Sequence, residues 1–152
     1  MRSISISRAA KGAALLFTLF AFALVLAGDF PFKGSANGVA TPVGMENGLV
    51  LLHTAASGNS TLLGGFSSAE DLTLDPATGQ LAGTFVFTAA NGATLFGTTA
   101  GQFVSPTDVV GTYTVTGGTG RLEGAAGVID FSLTTSDGSH YTVNFSGLLT
   151  SH

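Results

Sequence analysis

Few residues of this 152-residue chain could carry chemistry: it has three histidines, nine carboxylates and no cysteine. His53 and His140 are far apart in the sequence and His152 is terminal, so the histidines lack the spacing of a zinc site. No Gly-x-Ser-x-Gly segment occurs, and without cysteine no nucleophile is visible for covalent acyl transfer. We therefore predict no metal site and name no catalytic residue.

The carboxylates are densest at Glu70 and Asp71, with Asp75 close behind. Their spacing lacks the regular oxygen ligands of a calcium loop, so we expect them to lie in turns as solvated carboxylates. Asp130 is out of phase with its apolar neighbours and is predicted to face solvent. The direction of His53 stays open, because both faces of its predicted strand are apolar.

A glycine-rich segment at 115–127 has one feature of a dinucleotide-binding turn, because Gly118-x-Gly120-x-x-x-Gly124 follows an apolar run. Such a turn needs a following helix, whose N-terminus holds the pyrophosphate. Here more glycine follows, and the sequence then alternates with a period of two, which favours a strand. We predict no cofactor and interpret the segment as a strand, a corner and a second strand.

Aromatic residues recur on the predicted inner faces of the strands, next to glycines that include Gly64, Gly83, Gly111 and Gly147. Either the rings fold over the glycines and fill the interior, or the glycines leave a pocket that aromatic rings surround. The second outcome makes the rings candidate ligand-binding residues, with a tyrosine hydroxyl as polar anchor. These candidates are Tyr113, Tyr141, Phe85, Phe87, Phe131 and Phe145.

Alternating apolar and polar residues, interrupted by turn signals such as Asn91-Gly92 and Asp137-Gly138, position these side chains on eight strands. The predicted strands span residues 32–39, 49–56, 60–74, 81–89, 93–103, 109–116, 128–135 and 140–149. Short turns and recurring inward glycines predict an all-β, eight-stranded antiparallel up-and-down barrel. A β-sandwich is the alternative.

The corner residues Gly117, Gly118, Gly120 and Arg121 are predicted to form a structural turn. The segment 117–127 resembles the glycine hairpin of the dirigent and allene oxide cyclase-like barrels. The wider pattern, 61–66 and 89–92 followed by this corner, also resembles small secreted bacterial barrel proteins of unassigned function. The resemblance covers roughly residues 60–149 and implies a hairpin between the sixth and seventh of eight strands. It carries over no working residue of either enzyme class.

The first 27 residues combine three basic residues with an uncharged apolar run, and we interpret them as a helical signal peptide cleaved after Ala27. Residues 28–152 then form a single barrel domain. The apolar run is shorter than a typical membrane span, which favours a signal peptide. An uncleaved anchor is the alternative, because the flanking residues do not decide between the two. Export would place the protein outside the cell or in the periplasm.

Cleavage would leave two basic residues, Lys33 and Arg121, against nine acidic ones, a net charge of −7. Nucleic acids and anionic membranes both attract a cationic surface, so neither is an expected partner after cleavage. The sequence favours three functions. The first is binding of a small apolar molecule without group transfer. The others are cyclase- or dirigent-type steering of a reactive molecule in a dry pocket, and a filled, self-associating structural module whose outer face includes Val50 and Leu52.

Overall fold

Eight strands account for most of residues 28–151, the part of the chain that the computed structural model describes. The predicted leader, residues 1–27, lies outside the described residues. The strands are β1 (Gly28–Glu46), β2 (Leu49–Ser60), β3 (Gly64–Asp75), β4 (Gln80–Ala89), β5 (Thr94–Phe103), β6 (Asp108–Gly118), β7 (Ala126–Thr135) and β8 (His140–Ser151). Within 28–151 no helix has the length and hydropathy needed to span a membrane.

Each strand pairs antiparallel with its neighbours in sequence, and β1 also pairs with β8, which closes the sheet. The closing ladder is long, running from Gly28 opposite Ser151 to Val39 opposite His140. Closure satisfies the backbone groups that two edge strands would leave exposed. The predicted eight-stranded antiparallel up-and-down barrel is confirmed, and the sandwich alternative is excluded.

The third strand begins later than predicted, because a turn at 61–63 separates β2 from β3. Gly64 is exposed with a φ of 66°, so its predicted inward position in a strand is wrong. The strand then continues without a break to Asp75, through the Ser67-Ser68 pair. Residues 70 and 71 therefore lie inside a strand and not in a turn.

The barrel has a closed end and an open end. The connections at 61–63, 90–93 and 119–125 meet at the closed end, and those at 47–48, 76–79, 104–107 and 136–139 meet at the open end. At the closed end the glycine corner contains a short 3₁₀ helix, Gly120–Leu122, whose Leu122 side chain is buried. Arg121 Nη2 donates a hydrogen bond to the carbonyl of Leu62, at 2.8 Å, and so ties the corner to the β2–β3 turn.

Glycine is required at two positions of this corner for different reasons. Gly120 has a φ of 62°, a left-handed conformation that costs other residues about 1 kcal/mol or more. At Gly118 the backbone is crowded, because a Cβ there would meet the carbonyl of Leu122 and lie 2.6 Å from the carbonyl oxygen of Thr94. Close packing of the corner against the barrel therefore requires glycine at positions 118 and 120.

We expect Gly118→Ala to destabilise the protein by about 1–3 kcal/mol, because both crowding atoms belong to the backbone and must move. Gly65→Ala is the matched control, since the nearest atom to a Cβ there is Asn59 Oδ1 at 3.8 Å. Urea unfolding followed by circular dichroism measures both variants. Equal midpoints for the two would show that the corner is not tightly packed.

Candidate functional site

Aromatic rings fill the interior of the barrel toward the closed end. Neighbouring rings have centroids 4.6 to 6.5 Å apart and mostly tilted or edge-to-face orientations, which aromatic pairs favour. All of these rings are buried, and Phe32 and Phe85 are almost fully so. The cluster contains Phe32, Phe66, Phe85, Phe87, Tyr113, Phe131 and Phe145.

The rings fit because glycines lie beneath them. A Cβ at Gly111 would lie 2.7 Å from Cζ of Phe131, and a Cβ at Gly38 would lie 2.7 Å from Cζ of Tyr141. A ring and a second side chain cannot share such a space, so each ring occupies the volume that its glycine leaves free. Of the two outcomes considered from sequence, the rings fill the interior, but only toward the closed end.

Toward the open end the barrel contains a cavity of about 230 Å³ with mostly aliphatic walls. Its polar groups come from Glu70, Thr54, Tyr141, Thr135 and Ser139. Its apolar lining consists of Ala40, Pro42, Val50, Leu52, Leu72, Leu74, Leu81, Phe103, Val109 and Leu133. An apolar cavity with a few convergent polar groups is the usual form of a small-molecule site.

The β1–β2 hairpin extends the cavity wall beyond the mouth. Met45 is directly paired with Val50, and directly paired residues share a face of the sheet. A bulge between Pro42 and Gly44 brings Met45 to that face, where it is 70% exposed. An apolar side chain thus stands at the entrance to the cavity.

Glu70 places a carboxyl group on the cavity wall, and the residue is only 6% exposed. Its carboxyl accepts a 2.8 Å hydrogen bond from the hydroxyl of Thr99 and a longer one, 3.3 Å, from the hydroxyl of Thr54. Burial raises the pKa of Glu70 above its usual 4.5, and the two threonine hydrogen bonds oppose the rise. Burial at this site therefore disfavours the charged form of the carboxyl relative to a carboxyl in water.

Two tyrosines share this environment. Burial raises the pKa of Tyr113 well above 10.0, and the negative charges of Glu70 and Tyr141 add to the rise. Burial also raises the pKa of Tyr141, and the negative charge of Glu70 adds to this rise. A hydrogen bond with Thr54 acts in the opposite direction. Both phenols stay protonated at neutral pH, and Tyr141 presents its side chain to the cavity.

The six predicted ligand-binding rings separate into two groups. Tyr141 lines the cavity, whereas Tyr113, Phe85, Phe87, Phe131 and Phe145 pack in the aromatic cluster. A ligand-binding role for any of the six stays a prediction, and geometry favours Tyr141. The predicted corner residues Gly117, Gly118, Gly120 and Arg121 all lie at the closed end, far from the mouth along the strands.

Sequence reasoning missed Glu70, and the expectation that it lies in a solvated turn is wrong. Glu70 shares a face of β3 with the buried Phe66 and with Leu72, two residues on. Its neighbour Asp71 points outward and hydrogen-bonds Nδ1 of His53 at 2.9 Å, which settles the direction of that histidine. The alternation around Glu70 was the signal that could have found it. Asp75 ends β3 and is half-buried.

The assignment of Val50 and Leu52 to an apolar outer face is also wrong, because both line the cavity. Exposed apolar side chains lie elsewhere, such as the paired Val128 and Leu148, which are 55% and 57% exposed. Asp130 faces solvent as predicted. No group of three or more potential metal ligands comes together among residues 28–151.

A shallow groove of about 430 Å³ crosses the outer face of β4, β5 and β6. It is larger than the cavity, but it is open to solvent and lined by no ionisable side chain; Gln80, Ala82, Ala100, Gln102 and Val110 contribute to it. We regard the interior cavity as the candidate site, because enclosure and a buried carboxyl occur there together.

Comparison of the chain with family models, with curated proteins and with solved structures finds no match. The barrel architecture therefore rests on the structure itself.

We expect replacement of Glu70 by glutamine to change how stability depends on pH. Below pH 4.5 the carboxyl is neutral whether the chain is folded or unfolded, so its contribution to stability is complete there. As pH rises above 4.5, Glu70 ionises first in the unfolded chain. The free energy of unfolding then falls until Glu70 ionises in the folded chain as well. Glutamine does not ionise and can still bond both threonines. The stability of Glu70→Gln relative to wild type should therefore increase as pH rises above 4.5.

Urea unfolding of both proteins between pH 4 and pH 8 measures this difference. Glu123→Gln is the matched control for loss of one carboxylate, because Glu123 is exposed at the closed end. If the stability of Glu70→Gln relative to wild type stays constant or decreases as pH rises, the result would contradict a raised pKa for Glu70.

Proposed function

We propose that this protein is an exported barrel that binds a small, largely apolar molecule in its open-end cavity without transferring a group. The observation that carries the proposal is the cavity itself, with aliphatic walls and a carboxyl, a phenol and a threonine hydroxyl on one side. Apolar walls favour the body of such a ligand, and the polar side favours a single hydrogen-bonding group.

The size of the cavity limits the ligand. Engineered cavities of about 150 Å³ bind benzene, so a cavity of about 230 Å³ suits a molecule of one or two rings or a short branched chain. Burial of about 150 Å² of apolar ligand surface contributes roughly 4 kcal/mol before association costs. We therefore expect weak binding unless a hydrogen bond to Glu70 or Tyr141 adds to it.

Steering of a reactive molecule is the second candidate, and the presence of Glu70 and Tyr141 in the same cavity favours it. A buried carboxyl with a raised pKa beside a phenol is an arrangement that acid–base sites use. The resemblance of the corner to dirigent and allene oxide cyclase-like barrels points the same way. We rank it below simple binding, because no substrate-activating group beyond these two lines the cavity within residues 28–151.

We also propose export with cleavage after Ala27. All eight described strands lie after Ala27, so cleavage there would leave them in the mature chain. The intact mass of protein recovered from outside the cytoplasm should correspond to a chain beginning at Gly28 or within a residue or two of it. A mass that includes residues 1–27 would instead favour a retained anchor.

We expect the neutral probe 2-phenylethanol to bind saturably, shifting the amide NMR signals of cavity residues such as Glu70, Leu72 and Leu133. Ala40→Phe should weaken this binding by about tenfold or more, because the added ring occupies the cavity and removes contacts worth about 1–3 kcal/mol. Ala55→Phe is the matched control, since Ala55 lies on the adjacent strand and faces outward.

Shifts spread over the outer surface, or equal binding by the two variants, would contradict a ligand site in the cavity. Mass spectrometry of the 2-phenylethanol recovered after incubation with the protein distinguishes binding of this probe from its conversion. Unchanged 2-phenylethanol fits simple binding, and a modified product would favour the steering alternative.

A further inference from the structure

The charges of the barrel are unequally distributed between its ends. Lys33 and Arg121 both lie at the closed end: the backbone of Lys33 bonds Thr61 in the β2–β3 turn, and Arg121 bonds Leu62. Asp29 and Glu123 lie at the same end and balance them. The closed end is therefore close to neutral.

The open end carries carboxylates without lysine or arginine among residues 28–151. Four of them surround the mouth: Glu46 ends β1, Asp75 ends β3, Asp108 begins β6 and Asp137 lies in the β7–β8 turn. Asp108 and Asp137 are held ionised, because hydrogen bonds from Ser105 and from the backbone of Ser139 are the main causes that lower their pKa values.

The two histidines of the described chain do not reverse this balance. Nδ1 of His140 lies 2.8 Å from a carboxylate oxygen of Asp137, and His53 is likewise paired with Asp71 on the outside of the barrel. Even with both imidazoles protonated, each positive charge is matched by its own partner. The rim keeps its negative potential.

Among residues 28–151, no basic side chain forms an ion pair with Glu70. Its hydrogen-bond partners in the described chain are two neutral hydroxyls, those of Thr54 and Thr99, and the phenol of Tyr141 lies on the same wall. A buried carboxylate is stabilised most by a positive charge that pairs with it in the same dry space. The barrel places that carboxyl where a ligand from the mouth can reach it.

We infer that the cavity takes cationic amphiphiles, namely primary or secondary amines on a small apolar body, and rejects carboxylates of the same size. This inference rests on the proposed binding function and specifies its ligand class. The ammonium group lies toward Glu70 and the rim, and the apolar body lies against the walls formed by Leu52, Leu72 and Leu133. The negative mouth also concentrates cations and repels anions before they enter.

Three probes with one apolar body test the inference: 2-phenylethylamine, 2-phenylethanol and 3-phenylpropionate. At neutral pH and low salt we expect the amine to bind tightest and the carboxylate weakest, with about tenfold or more between them. The difference in affinity between the amine and the carboxylate should decrease as salt is added, because salt screens the charges of the rim. NMR shift titration at constant pH measures all three with the wild-type protein.

Glu70→Gln should lower the affinity of the amine relative to the alcohol, whereas Glu123→Gln, at the closed end, should leave all three affinities unchanged. If Glu70→Gln does not change the ratio of amine affinity to alcohol affinity, the proposed role of Glu70 is overturned. Binding of the alcohol with the carboxylate equal to or tighter than the amine would overturn the inference and leave the proposed function standing. Binding of none of the three would overturn both.

Discussion

The packing of aromatic rings over glycines is the constraint on which the rest of the interior depends. Phe131, a member of the aromatic cluster, lies over Gly111, and its ring occupies the volume that the glycine leaves free. The rings interlock toward the closed end, where the corner with Leu122 covers them. That half is filled by side chains, and the interior cavity lies toward the open end. The cavity is thus a consequence of where the large and small residues lie along the strands.

Much of the fold could be predicted from local pattern. Period-two alternation with turn signals predicted eight strands whose bounds mostly agree with the structure, and recurring glycines predicted closure. The glycine corner was predicted as a turn between β6 and β7, and Gly120 within it has a positive φ. These features depend on neighbours in sequence, so a single chain carries enough information to predict them. The 3₁₀ turn within the corner was not predicted, because it depends on packing of Leu122 against the barrel.

The candidate site could not be predicted in the same way, because its residues come from all eight strands and the register between the strands does not follow from local sequence. Glu70 was interpreted as a solvated carboxylate since acidic residues are rarely buried. Its partner Thr99 is 29 residues away, and only the β3–β4–β5 register brings the two together. Val50 and Leu52 belong to a strand with two apolar faces, and such a strand does not reveal which face lines the interior.

The central claim is that the barrel interior is filled at one end and hollow at the other. Xenon binds dry apolar cavities, so a crystal structure determined under xenon pressure tests this claim directly. We predict that xenon binds among Leu52, Leu72 and Leu133 in the open half and that none binds among the aromatic rings. Absence of xenon from the open half, with side chains closed over that space, would contradict the account, as would xenon bound within the aromatic cluster.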